Sequence, residues 1–130
     1  MRAVLDTSVL IADDAPADGD FAISTVSLGE LHFGLLLART DEERARRSQR
    51  LAVVEATFSP LPVSAAVARA WGALAALVVR RGVQPRRRNA DLLIAATAQV
   101  HDAVLLTHNV GDFAHVEDQL RVMTPRELGG

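Results

Sequence analysis

Apolar residues gather into short blocks whose spacing switches between strand-like runs and helical stripes. The run Ala3-Val4-Leu5 is continuous and stops at Asp6-Thr7-Ser8, which predicts a buried strand over residues 2–5 and a short helix over 8–13. Pro16, Gly19 and the acids among residues 13–20 predict a loop, and 21–24 a second extended segment. Ser27-Leu28-Gly29-Glu30 has the form of a capping box, with Leu28, Leu31, Leu35 and Ala38 following at helical spacing. Thr40-Asp41-Glu42-Glu43 is a second box and opens a charged helix to about Thr57. Pro60 and Pro62 bracket a connector, after which Val67, Ala70, Trp71, Leu74, Leu77 and Val78 mark an amphipathic helix closed by Gly82 and Pro85. Asn89 is expected to cap a helix reaching about His101, apolar nearly all round and therefore buried. Residues 104–107 predict a third strand, 109–115 a loop with one helical turn, and 121–123 an edge strand. Thr124-Pro125-Arg126-Glu127 predicts a final capped turn. Strands alternating with helices, and no hairpin signal such as Asn-Gly, point to an α/β sandwich around a parallel sheet. With no internal repeat or linker, residues 1–130 form a single domain.

Composition narrows the chemistry. There is no cysteine, which removes disulfides, thiolate metal sites and cysteine nucleophiles together. There is no lysine either, which excludes a P-loop and Schiff-base catalysis; all 14 strongly basic residues are arginines. No apolar run approaches the roughly 18 residues that cross a membrane, and no secretory signal precedes Asp6, so a cytoplasmic protein is expected. A formal net charge of −2 gives no global attraction to nucleic acid, so an RNA or DNA role needs clustered arginines or bound cations.

Four acids stand near the ends of predicted elements. Asp6 follows the first strand, Asp112 lies in the loop after the third, and Glu30 and Asp91 lie in the first turns of two helices. In open parallel sheets, sites form outside the carboxyl ends of the strands, so these four can converge. Packed carboxylates repel unless a cation neutralises them, and hard oxygen ligands select Mg²⁺ or Mn²⁺. Each acid alone also has a plain structural use: an Asx-turn or cap at Asp6, a capping box at Glu30, a helix-dipole partner at Asp91, a turn cap at Asp112. Glu127 is assigned to capping, and Asp41, Glu42, Glu43 and Glu55 to a solvated helix face.

The flanking words decide between these readings. Val-Leu-Asp-Thr-Ser-Val-Leu-Ile at 4–11 resembles the opening of the PIN-domain nucleases. Ile-Ser-Thr-Val-Ser-Leu-Gly-Glu-Leu at 23–31, with Gly34 following, resembles their second motif. Asn-Ala-Asp-Leu-Leu-Ile-Ala-Ala-Thr-Ala at 89–98 resembles the third, and Leu-Thr-His-Asn-Val-Gly-Asp-Phe at 106–113 the fourth. All four occur in family order, and in size and wording the chain is similar to the VapC-type toxins of bacterial toxin–antitoxin pairs. That resemblance implies a PIN-like three-layer sandwich, with a central mostly parallel sheet flanked by helices. It implies a Mg²⁺- or Mn²⁺-dependent endoribonuclease, a homodimer, and inhibition by a VapB-type antitoxin that itself supplies operator-DNA binding. Carried onto this chain, it makes Asp6 and Asp91 metal ligands, Glu30 a ligand or supporting group, and Asp112 the member completing the acidic site. Thr7, Ser8, Thr107 and Asn109 become candidates for orienting those acids or the phosphate, against plain loop capping.

Arg86, Arg87 and Arg88 precede the helix of Asp91 and are candidates for holding the RNA backbone, with Arg80 and Arg81 extending the patch. Arg44, Arg46, Arg47 and Arg50 are expected on a salt-bridged surface. Four Phe, one Trp and no Tyr do not make a base-stacking platform; Trp71 is assigned to core or dimer interface. His32, His101, His108 and His115 lack metal-ligand spacing. A haloacid-dehalogenase-type phosphatase also begins with a strand and Asp, but Ser8 replaces its second Asp and its lysine is missing. The remaining alternatives are a PIN nuclease of RNA processing and a catalytically silent PIN-like binding module.

Overall fold

The computed structural model of the chain describes residues 2–129. Four strands, β1 (Arg2–Leu5), β2 (Asp20–Ala22), β3 (Val104–Leu106) and β4 (Val122–Met123), form one sheet in the order β2-β1-β3-β4. Every pairing is parallel, with Val4 opposite both Ala22 and Leu105. Among the described residues six helices flank it: α1 (Thr7–Ala12), α2 (Thr25–Leu36), α3 (Asp41–Thr57), α4 (Ala65–Arg80), α5 (Asn89–Val100) and α6 (Pro125–Gly129). Two 3₁₀ turns, Pro85–Arg88 and Val110–Val116, complete the elements among the described residues.

The period-2 geometry of the strands divides the core into two. Val4 and Leu105 face Leu74, Val78, Leu92 and Ile94 of α4 and α5. Ala3, Leu5, Val104 and Leu106 face Val9, Leu10 and Val54 of α1 and α3. This is the three-layer α/β sandwich the sequence predicts. β1 has β2 on one side and β3 on the other, so the strand order reverses there, and the carboxyl ends of β1 and β3 border the switch point.

Two predicted caps are corrected. The N-cap of α2 is Ser24, whose hydroxyl accepts from the Val26 N–H, not Ser27; Ser27 is buried inside the helix and Glu30 is free of any capping duty. Asn89 is the first residue of α5, entered directly from the 3₁₀ turn, and Arg88 holds the N-cap position without a side-chain cap bond. The Thr40 box at α3 and the Thr124–Glu127 box at α6 form as expected, the latter reciprocally.

Phe113, 1% exposed, anchors the 110–116 turn in the α4/α5 half of the core. Phe113→Ala is expected to cost about 3–5 kcal/mol, as large-to-small core changes do. Chemical denaturation checks this, and a loss below about 1 kcal/mol would show the turn is not anchored there.

Candidate active site

The switch point places the ends of β1 and β3 side by side, with the Asp6 N–H donating to the Leu106 carbonyl at 2.8 Å. Asp6 takes the N-cap position of α1 with extended backbone, yet its side chain caps nothing. Asp6 as a residue is 5% exposed, and its carboxylate instead accepts at Oδ2 from the Ser8 and Thr107 hydroxyls, each at 2.8 Å. Thr107, buried at the end of β3, also accepts the Asn109 N–H at 2.9 Å, and Ser8 accepts the His108 N–H at 3.1 Å. One network thus fixes both strand ends around a single carboxylate oxygen. Asn109 contributes its backbone N–H to this network, and its side chain makes no cap bond to the turn it opens.

Glu30 approaches from α2. Its Oε1 accepts from the Thr7 hydroxyl at 2.7 Å, and the Thr7 oxygen lies 3.0 Å from the Ser27 hydroxyl. Asp91 enters from the first turn of α5 and Asp112 from the turn after β3. Arg88 joins these two: its Nη1 lies 2.9 Å from Asp112 Oδ1 and 3.6 Å from Asp91 Oδ2.

Asp91 feels the other three acids. The Asp91 carboxyl is pushed up to about 6, first by burial and then by the charges of Asp6, Asp112 and Glu30, with Arg88 opposing. Each of the others has turned to its own donors: Asp6 to two hydroxyls, Glu30 to Thr7, Asp112 to Arg88. Among the described residues, no three or more His, Asp or Glu side chains stand close enough together to hold a metal ion between them. The four acids nonetheless offer oxygen donors alone, and Asp91 is partly buried among the charges of the other three. That chemistry fits a hard divalent cation and no soft one.

The remaining assignments sort clearly. Arg86 and Arg87 are exposed beside the acid edge, whereas Arg88 is turned into it. A cleft of about 570 Å³ opens there, lined by Leu92, Val116, Arg87, Arg88, Asp112 and His115 among others. Arg81 does not extend the basic patch: it pairs with both oxygens of Asp118 and donates to the His115 carbonyl, tying α4 to the end of the 110–116 turn. Arg44 and Arg47 pair with Asp41 and Glu43 on the α3 surface as expected. Arg50 does more, donating to the Leu10 carbonyl at 2.7 Å and pairing with Asp13, and so fastens α3 to α1. His108 pairs with Asp14 on the surface. Trp71 packs on the α4/α5 core, and its buried Nε1 has no hydrogen-bond partner among the described residues.

Sequence reasoning missed Ser27 as a neighbour of Thr7, because its apparent capping role hid it. It also missed Arg88 as the partner of Asp91 and Asp112. The signal for Arg88 was present: Arg88 and Asp91 stand three residues apart, the spacing that brings side chains together on a helix.

The PIN domain family matches residues 3–119. Ribonuclease VapC4 of Mycobacterium tuberculosis is 36% identical over 124 residues, spanning 90% of this chain and 92% of that protein. Ribonuclease VapC5 of the same organism is 38% identical over 123 residues, spanning 88% and 87%. Among solved structures, that of VapBC-5 from Mycobacterium tuberculosis, a member of the VapBC family of toxin–antitoxin systems, superposes with a TM-score of 0.81 at 35% identity, covering 95% of this chain and 96% of that one. The VapBC2 structure from Rickettsia felis, bound to a DNA fragment from its promoter, has a TM-score of 0.79 at 22% identity, covering 95% and 98%, and supports the fold alone.

Proposed function

Because the chain belongs to the PIN-domain family and is similar throughout to VapC ribonucleases, we propose that it is a divalent-metal-dependent endoribonuclease, the toxin of a toxin–antitoxin pair. The observation that carries this is the meeting of acids from four segments at Asp91, whose carboxyl is raised first by burial and then by the charges of Asp6, Asp112 and Glu30. Capping does not explain that set, since neither Asp6 nor Asp112 spends its side chain on a cap, and Glu30 reaches across to Thr7.

Asp6 and Asp91 would hold Mg²⁺ or Mn²⁺, with Glu30 and Asp112 completing the charge. A bound cation would supply Lewis acidity that eases loss of a proton from the attacking water, and a counter-charge for the phosphate. Ser8 and Thr107 lock Asp6, and Thr7 locks Glu30, so these carboxylates need little reorganisation when RNA arrives. Arg86 and Arg87 hold the phosphate backbone beside the edge. Water oxygen joins phosphorus, the bond to O3′ breaks, and O3′ leaves with a proton. The products carry a 5′-phosphate and a free 3′-hydroxyl. A nuclease assay with Mg²⁺ or Mn²⁺ against chelator, followed by end mapping, tests this; chelator-resistant cleavage or 2′,3′-cyclic phosphate ends would refute it. Absence of any cleavage with either metal would favour the silent binding module.

The proposed partner is a VapB-type antitoxin, with operator-DNA contact assigned to that partner and a homodimer as the assembly. A groove of about 490 Å³ beside Glu30, lined by Ile11, Leu31 and the stems of Arg46, Arg47 and Arg50, suits an apolar segment carrying acids. Phe33, Leu36 and Leu37 of α2 and its end are also exposed.

Thr107→Val removes a hydroxyl from Asp6 and an acceptor from the Asn109 N–H while keeping the side-chain shape. Cleavage is expected to fall about 10- to 100-fold, the usual cost of losing a group that orients a metal ligand. Steady-state cleavage rates check it, and unchanged activity would reduce Thr107 to a loop cap.

A further inference from the structure

Arg88 occupies the acid edge itself. Its guanidinium reaches carboxylates from α5 and from the turn after β3, the two segments that meet at the site only in the folded chain. Its side chain is 40% exposed and it stands where the 3₁₀ turn joins α5, so it has room to leave. On the reading of this edge as a divalent-cation site, we propose that Arg88 is a built-in counter-ion that competes with the metal for Asp91 and Asp112 and, once displaced, turns to the phosphate being cleaved.

Four carboxylates on one edge carry more negative charge than the hydroxyls around them can offset, and one guanidinium between two of them relieves part of the repulsion. The pair is partly exposed and therefore weak, so a doubly charged ion sharing the same oxygens can displace it. Released, the fork remains tethered one helical turn from Asp91, beside the cleft bordered by Arg87 and His115. A planar five-donor group there suits a phosphate whose charge grows during cleavage. Arg86 and Arg87, which are exposed, keep to the outer backbone.

The test is Mn²⁺ affinity, measured by calorimetry without RNA, for the parent protein and Arg88→Gln, Arg88→Lys, Arg86→Gln and Asp91→Asn. Arg88→Gln is expected to bind Mn²⁺ about three- to fivefold tighter, the gain from removing a weak competing pair. Arg88→Lys, which keeps a positive charge near the acids, and Arg86→Gln, which removes a charge outside the edge, are expected to stay within about twofold of the parent. RNA cleavage at saturating Mn²⁺ should fall at least about tenfold in Arg88→Gln, opposite in direction to its metal affinity. Unchanged or weaker Mn²⁺ binding in Arg88→Gln overturns the proposal, as does equal tightening in Arg86→Gln or Arg88→Lys. If the parent binds no Mn²⁺ and Asp91→Asn titrates identically, the acid edge is not a cation site and the proposal falls with it.

Discussion

Asp6→Asn and Asp91→Asn should each bring RNA cleavage down by at least about 100- to 1000-fold while the fold survives. The size follows from the chemistry assigned to the cation, worth several kcal/mol of transition-state stabilisation, at about 1.4 kcal/mol per tenfold in rate. Asn keeps the volume of Asp and one of its two oxygens but carries no charge. At Asp6 the remaining oxygen can still accept from Ser8 and Thr107, so the strand ends stay joined and circular dichroism should be unchanged. Glu30→Gln should be milder, about tenfold, because its carboxylate is already held by Thr7 and stands as a supporting charge. Activity near the parent level in Asp6→Asn or Asp91→Asn would remove that residue from the mechanism.

The second large effect is on stability and has the opposite sign. The Asp91 carboxyl titrates near 6 in the folded chain, against an ordinary value of 3.8. As pH rises from about 4 to about 6, the unfolded chain loses this proton before the folded one does, so folded stability falls across that window and stays lower above it. Asp91→Asn abolishes the penalty. After allowing for solvent screening of a partly exposed group, the gain is about 1 kcal/mol, or roughly 2–6 °C in melting temperature, in chelator at pH 7–8. It should vanish below about pH 4, where the parent carboxyl is protonated in both states. Added Mn²⁺ should then reverse the order, raising the melting temperature of the parent by mass action while leaving Asp91→Asn unmoved. Thermal melts over pH, with and without Mn²⁺, check this directly. A variant that melts below the parent in chelator at neutral pH would mean that Asp91 is a structural residue rather than one held under strain by its neighbours.

The fold was largely legible because each layer writes its own period. Ala3, Val4 and Leu5 are all buried since the strand is covered on both faces, which is why the run shows no alternation. The stripe from Val67 to Val78 reads as a helix because only one side of α4 meets the core. Boundaries were less legible where polar side chains have two uses. The words around α2 offer Ser27 as its cap, but Ser24, bridged to Leu61, accepts from the Val26 N–H and Ser27 lies inward beside Thr7. Local words name the acids but not their partners. That Thr107 serves Asp6 across 101 residues depends on β1 and β3 being neighbours, a fact of topology. Arginines were the least legible group, because a long charged stem reaches equally well toward water or toward an acid on another segment. Arg81, Arg50 and Arg88 all found such partners, whereas Arg86 and Arg87 stayed at the surface.

The most direct measurement is anomalous diffraction from crystals of the parent and of Asp91→Asn grown in Mn²⁺. A manganese peak bounded by the Asp6 and Asp91 carboxylates in the parent and missing from the variant is the expected result. Manganese elsewhere, or nowhere, with those carboxylates still engaged as they are with Ser8, Thr107 and Arg88, would contradict the assignment of this edge as the seat of catalysis.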